Sequence, residues 1–500
     1  MTDAKGRYGG AETRYVPAFG VDASPARLHL ALALAGVHWE PADRERLRVL
    51  DIGCGRGLTV CLLAAANPGW DVIGLDLQPV HVSEARELAA DAGLDNARFI
   101  EADLAELDGP AARALLPEVD IVICNGVWTW VPDVVRQGIV ALLTARLAPG
   151  GLLLLGYNAL PGFADCIPMQ RFLMEAARGV PGGDAEKARA AFAVLGRMRD
   201  AGSPHLPRPE VLGPILEAAA MAPAYAAHEW FTPFWRPAFH ADVVRDLAPA
   251  QIEFGAPSRP SAALHQLQLT PAQREIYAQL PGAMPEETLT DTFIERRFRN
   301  DIFVRGRRPA VPQALGDIRL ALGVNPDHAV MTLGTRTGLA SLTDAQNAAL
   351  LGALARGPQR LRDLAALPEC AGLSERDVAL MLYETYTAHP LWRDIPTDPA
   401  FAARATRCND TIARRLGAEA YASHAPLGAV VPATGSAFAM GMTSLAIVAS
   451  IRMGVPADVD SLTDRLAQRR DDPEAVAAVR RSIETTLTRH LAAWRAIGVV

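Results

Sequence analysis

Between residues 48 and 158 short unbroken apolar runs alternate with stretches of helical periodicity. Residues 48–53, 71–76, 98–103, 119–125 and 152–157 read as strands, and 58–66, 79–91 and 133–147 as helices. The apolar runs lack a polar alternate face, the pattern of a parallel sheet covered by helices on both sides. This succession predicts an α/β, Rossmann-like doubly wound domain. The pattern resumes with a helix at 241–247 and strands at 251–255 and 299–305, bringing the expected sheet to seven strands. Residues 185–221 read as a helical insertion. A mainly helical unit, winged-helix-like in its spacing of short helices, is expected from 312 to the C-terminus. The expected organisation is a lid segment at 1–30, a core at 31–178, helical insertions completing the sheet at 179–311, and a C-terminal domain at 312–500.

Five hundred residues, half of them hydrophobic, are enough for several packed units. A net charge of −7 provides no basic footprint for nucleic acid. The six cysteines form no CxxC pair, which argues against a zinc site or a disulfide framework and fits a reducing, cytoplasmic setting. The uncharged stretch 424–452 is broken by Pro432 and Gly435 and falls short of the roughly 20 apolar residues of a spanning helix. It is expected to be a buried loop and a core helix, not a membrane span.

Chemistry concentrates at the first strand–helix turn, Asp51-Ile52-Gly53-Cys54-Gly55-Arg56-Gly57. Glycines there permit positive φ and close approach of a ligand to the backbone. The GxGxG spacing is tighter than the dinucleotide GxGxxG, and the acid at its head suits a cationic ligand group better than a diphosphate. Asp76 ends the second predicted strand, where a carboxylate can accept ribose hydroxyls, and Asp103 ends the third, beside Leu104.

VLDIGCGRG, GLDL and EADL together resemble the cofactor signature of class I S-adenosylmethionine-dependent methyltransferases. That resemblance implies a seven-stranded sheet with its last strand antiparallel and S-adenosyl-L-methionine as cofactor. It implies cofactor contacts from Asp51, Gly53, Gly55, Asp76 and Asp103, and Gly57, Leu77, Leu104 and Asn125 are further cofactor-binding candidates. Further segments are Tyr15, SPARL at 24–28, NGVWTWVP at 125–132, YNALPGF at 157–163, HEW at 228–230 and RRFR at 296–299. They resemble bacterial methyltransferases carrying a methyltransferase regulatory domain, among them rickettsial-type protein-lysine methyltransferases. Asn125 and Phe163 stand where that group often has His and Trp.

The acceptor side is expected over the ends of the fourth and fifth strands. Asn125, Tyr157 and Asn158 are the catalytic candidates, Asn125 because a carboxamide both donates and accepts. Tyr15, Trp128, Trp130 and His228 are the substrate-binding candidates, with core packing the competing reading for both tryptophans. His228 and Glu229 are read on a strand, which would turn them to opposite faces. The arginines at 296, 297, 299, 305, 307 and 308 are read as a solvated strand edge. The ending, 466–494, is expected as one long amphipathic stretch that packs on the catalytic domain or pairs with a second copy in a homodimer. The expected acceptor is a protein lysine amine. The alternatives are a small-molecule O- or N-methyltransferase and a cofactor-binding scaffold without turnover.

Overall fold

The computed structural model describes residues 17, 19–280, 286–423, 426–467 and 472–500. Its centre is a seven-stranded sheet of β1 (Arg48–Ile52), β2 (Asp71–Asp76), β3 (Ala97–Glu101), β4 (Val119–Cys124), β5 (Leu147–Asn158), β6 (Ile252–Pro257) and β7 (Phe298–Arg305). The spatial order is β3-β2-β1-β4-β5-β7-β6. β1 to β5 pair in parallel, and β7 runs antiparallel to both β5 and β6. The predicted strands are all present; the fifth begins five residues earlier than its apolar run, at Leu147. Chain direction across the sheet reverses between β1 and β4, so their C-terminal ends border a crevice.

Two cores flank the sheet. On one face helices 133–146 and 240–247 bury Val135, Ile139, Leu142, Val243 and Leu247. On the other lies the helix Leu58–Ala66, every residue of which is buried. A helix apolar on all sides must be covered on all sides. Its cover comes from the far end of the sequence, helix Pro399–Ser423 and the hairpin described below, which share its core through Cys408, Ile412 and Leu427. The insertion 166–235 builds a separate core around Phe192, Leu195, Trp230 and Trp235.

Beyond the sheet, β8 (Arg319–Leu322), β11 (Gln359–Arg360) and β12 (Ala388–Pro390) form a small sheet beside the hairpin β9 (Thr332–Thr335)–β10 (Gly338–Ser341). The predicted helices stand among them at 344–355, 361–365 and 375–384. The segment expected as a buried loop is instead a second hairpin, β13 (Leu427–Val431)–β14 (Ser436–Met440), before helix Met442–Arg452. Gly435 takes φ +67° at its turn, which explains why a loop-like sequence closes two strands. The ending is not one stretch: helices 459–467, 473–489 and 491–496 follow one another, and Trp494, Ile497 and Val499 enter the main core of their own chain. Helix Pro25–Leu34 runs across the boundary expected at residue 30, with Leu28, Leu30 and Leu32 fully buried. No helix of the described residues is long and apolar enough to cross a membrane.

Arg299 and Arg305 overturn the solvated-edge reading on β7, which lies inside the sheet between β5 and β6, while Arg307 and Arg308 after it are exposed. Arg299 is fully buried and donates to Asp301 (2.6 Å), Asp291 (2.7 Å) and Glu287 (2.6 Å). Tyr157 Oη donates to Asp301 at 2.7 Å, and His240 Nδ1 lies 3.3 Å from the same carboxylate. Burial alone would raise the Asp301 carboxyl, yet the Arg299 guanidinium and His240 hold it well below the usual carboxylate range. Replacing Arg299 with Leu strands these acids in the interior and is expected to cost about 3–5 kcal/mol. Arg98→Ala breaks only the exposed pair with Asp71 and should cost less than about 1 kcal/mol. Guanidinium unfolding at pH 7 compares the two, and equal losses would disprove the assignment.

Candidate functional site

The crevice opens into a cavity of about 920 Å³ that reaches from the glycine loop to the helical insertion. Gly53, Gly55 and Gly57 have φ of +71°, +52° and +77°. A Cβ on Gly57 would stand 2.7 Å from Ala85 Cβ and the Phe99 ring, so the loop can pack onto the sheet only without one. Gly55 N–H donates to Asp76 Oδ2 at 2.8 Å, and Gln78 N–H donates to Oδ1 at 2.9 Å. Two backbone donors thus set the Asp76 carboxylate at the end of β2.

Asp51 lies at the floor, buried on β1 between Gly74 and Ile123 of the neighbouring strands. No described group donates a hydrogen bond to it. Burial, and then the negative charge of Asp76, push its carboxyl up to about 8. A carboxylate left in this state is a site for a cationic group.

Asn125, directly after β4, faces the same space. Its carboxamide lies over Gly156 of β5, where a Cβ would come within 2.0 Å of Asn125 Oδ1. Gly126, Trp130 and Asn158 also line the cavity, with Leu77 and Leu104 on the side toward β2 and β3.

Four of the expected residues are elsewhere. Trp128 is fully buried in the core under helix 133–146 and does not border the cavity. Tyr157 is also fully buried, its hydroxyl engaged by Asp301 and His240. Asp103 accepts from Ala105 N–H at 2.8 Å as the cap of a short turn, leaving its neighbours Ala102 and Leu104 to line the cavity. Gly57 packs behind the loop and does not line it. Tyr15 lies outside the described residues, while Pro17 and Phe19 border the cavity.

His228 and Glu229 do line it, but on a helix, Pro223–Trp230, not a strand. Pro223 in the first turn and the buried Ala226, Ala227 and Trp230 were the available helical signals. Burial, and then His81, push His228 down to about 4, so it is neutral at pH 7. Phe163, Glu229 and Phe298, noted in the sequence motifs, line the cavity, and Tyr225 and Phe231 join them as wall residues that no motif pointed to. Arg56 is another addition: buried in the loop, it pairs with Glu84 (2.5 Å) and with Glu419 (2.7 Å) of helix Pro399–Ser423. No local signal links residues 56 and 419.

Residues 49–151 match the family described as a methyltransferase domain, and residues 222–305 match the predicted methyltransferase regulatory domain. An uncharacterized protein of Synechocystis is 28% identical over 71% of this chain and 70% of its own length. A trans-aconitate 2-methyltransferase of Variovorax paradoxus is 32% identical over 37% of this chain and 67% of its own. The structure of PKMT2 from Rickettsia typhi in complex with AdoHcy covers 96% of this chain and 99% of its own, with TM-score 0.65 and 16% identity. This chain belongs to the class I S-adenosylmethionine-dependent methyltransferases. It is an enzyme of that class with a regulatory domain built into its sheet, and S-adenosyl-L-methionine is its cofactor.

The residues present fit that cofactor: a buried carboxylate with no donor among the described residues, a fixed carboxylate on β2 and an open glycine turn. With its carboxyl pushed up to about 8, Asp51 is mostly protonated at pH 7. Binding of S-adenosylmethionine at pH 7 is therefore expected to release up to about one proton, and affinity should rise with pH until about 8. Calorimetry in buffers of different ionisation enthalpy measures the release. Asp51→Asn should abolish it and weaken binding about tenfold or more; release unchanged in the variant would refute the role of Asp51.

Proposed function

We propose that this enzyme methylates the side-chain amine of a protein lysine. The observation that carries this reading is the wall of the cavity beyond Asn125. Trp130, Phe163, Tyr225, Phe231 and Phe298 line it, a surface suited to an aliphatic stem that ends in a cation. The likeness in fold to PKMT2 over nearly the whole chain supports the same reading.

In this reading Asp51 meets the cofactor's ammonium group, Asp76 its ribose hydroxyls, and Leu77 and Leu104 flank its adenine. Asn125 and Asn158 orient the acceptor nitrogen, and Trp130 lies along its stem. Bound S-adenosylmethionine supplies a methyl group on a sulfonium that is itself a good leaving group. What remains for the chain is alignment and exclusion of water.

A metabolite acceptor is the second reading, favoured by the trans-aconitate methyltransferase relatives, whose likeness spans between 21% and 40% of this chain.

The deciding experiment incubates the enzyme and methyl-labelled cofactor with a host-cell extract. Label recovered as methyl-lysine in protein is expected, and label confined to small molecules would end the lysine reading. The chain itself has only Lys5 and Lys187, so self-labelling is separable by mass. Trp130→Ala should slow protein labelling about tenfold, equivalent to 1.4 kcal/mol, while cofactor affinity stays within about twofold.

A further inference from the structure

The cofactor half of the cavity leaves one carboxylate without a task. Glu229 lines the cavity from the last turn of helix Pro223–Trp230, one helical turn after Tyr225. The two are close enough that Glu229 raises the Tyr225 hydroxyl, after burial. Among the described residues no donor or cation is paired with Glu229, and burial pushes its carboxyl up to about 7.

The cations of the same wall have other acids. Lys187 lies 4.0 Å from Asp184, Arg178 is 2.7 Å from Glu175, and Arg297 pairs with Asp165 and Glu295 at 3.2 and 3.1 Å. His228, beside it, is neutral at pH 7. Among the described residues, the acceptor half of the cavity therefore presents one uncompensated carboxylate within an aromatic wall. Such a group is costly unless a ligand cation completes it, and a ligand carboxylate would worsen the cost.

We propose that Glu229 binds the acceptor's ammonium group and takes up its proton before methyl transfer. The inference rests on the lysine-amine reading. A lysine ammonium has no lone pair to offer; giving one proton to Glu229 leaves a neutral amine and a carboxylic acid. The amine lone pair then forms the N–CH3 bond as the S–CH3 bond breaks, with that electron pair remaining on sulfur. The product is a methylammonium ion, and Glu229 returns its proton to water. Asn125 and Asn158 complete the polar surface around the nitrogen. Glu229 is thus a catalytic residue that also determines specificity, selecting a cationic amine over a polycarboxylate.

The test uses the full chain loaded with S-adenosylhomocysteine and titrated calorimetrically with Nα-acetyl-lysine methylamide or trans-aconitate. The wild type is expected to bind the amine more tightly than the tricarboxylate. Its affinity for the amine should fall as pH drops from 8 to 6 and the carboxylate protonates. Around Glu229, the titratable groups of this wall are Tyr225, His228, Asp184, Lys187, Arg178 and Arg297; with His228 near 4 and Tyr225 raised, neither changes charge in that window. Glu229→Gln should weaken amine binding about tenfold or more and flatten the pH dependence, with S-adenosylhomocysteine affinity unchanged. Glu229→Asp should restore part of both. The proposal is overturned if the wild type prefers trans-aconitate, if it does not bind the amine, or if Glu229→Gln binds the amine as the wild type does. Protein-lysine labelling by Glu229→Gln at the wild-type rate and pH profile removes Glu229 alone. Failure of the wild type to label protein removes the lysine reading itself.

Discussion

The reversal of strand order between β1 and β4 is the constraint from which the site follows. β1 leads outward to β2 and β3, and β4 leads outward to β5 the other way, through short helical crossovers. The gap left at their C-terminal ends cannot be filled by either set of connections. Asp51, Asp76, Asn125 and Asn158 all stand at strand ends around that gap. The glycine loop crosses beneath it, and the helix that follows is apolar on every side. That helix is stable only because the C-terminal segment covers it, so the cofactor loop and the last hundred residues share one core.

Two kinds of buried acid divide the work of this fold. Asp301, Asp291 and Glu287 surround Arg299, which arrives on β7 and donates four hydrogen bonds to them from its planar fork, with Arg296 pairing to Asp291 and Glu287 beside it. That cluster locks β5, β7 and the helices at 240–247 and 286–293 together. Among the described residues neither the buried Asp51 nor the partly buried Glu229 has such a partner, and desolvation lifts both carboxyls toward neutrality. Carboxyls shifted in this way at the lining of a cavity mark it as a candidate ligand site. Tyr157 and Asn158 show how sharp the division is: adjacent on one strand, one serves the ion cluster and the other the cavity.

Arg56 connects the two ends of the chain at the loop. Its pairs with Glu84 and Glu419 join the first turn of the cofactor site to helix Pro399–Ser423. The regulatory region contributes in another way: it supplies β6 and β7 to the sheet and brings Tyr225, Phe231 and Phe298 to the cavity wall, beside Trp130 and Phe163 from outside it.

Periodicity, spacing and local chemistry were enough to read the seven strands, the glycine loop, Asp51 and Asp76; the family resemblance added the antiparallel last strand and the class of enzyme. These properties are legible because each is written within a few consecutive residues: an apolar run, a turn that needs positive φ, an acid at a strand end. Position across the fold is not written that way. Trp128 and Trp130 are both tryptophans of one loop, and only packing under helix 133–146 sends the first to the core and leaves the second in the cavity. The arginines of β7 look like an edge until the order of the sheet places that strand inside. Glu229 reads as one more polar residue until a cavity, a desolvating wall and the absence of a counter-charge coincide around it. Arg56 and Glu419 are 363 residues apart, a contact that no local pattern encodes. The sequence by itself determined the sheet, the cofactor and its loop; tertiary structure decided which polar groups are neutralised and which face the cavity, because burial and charge pairing depend on segments distant in the chain.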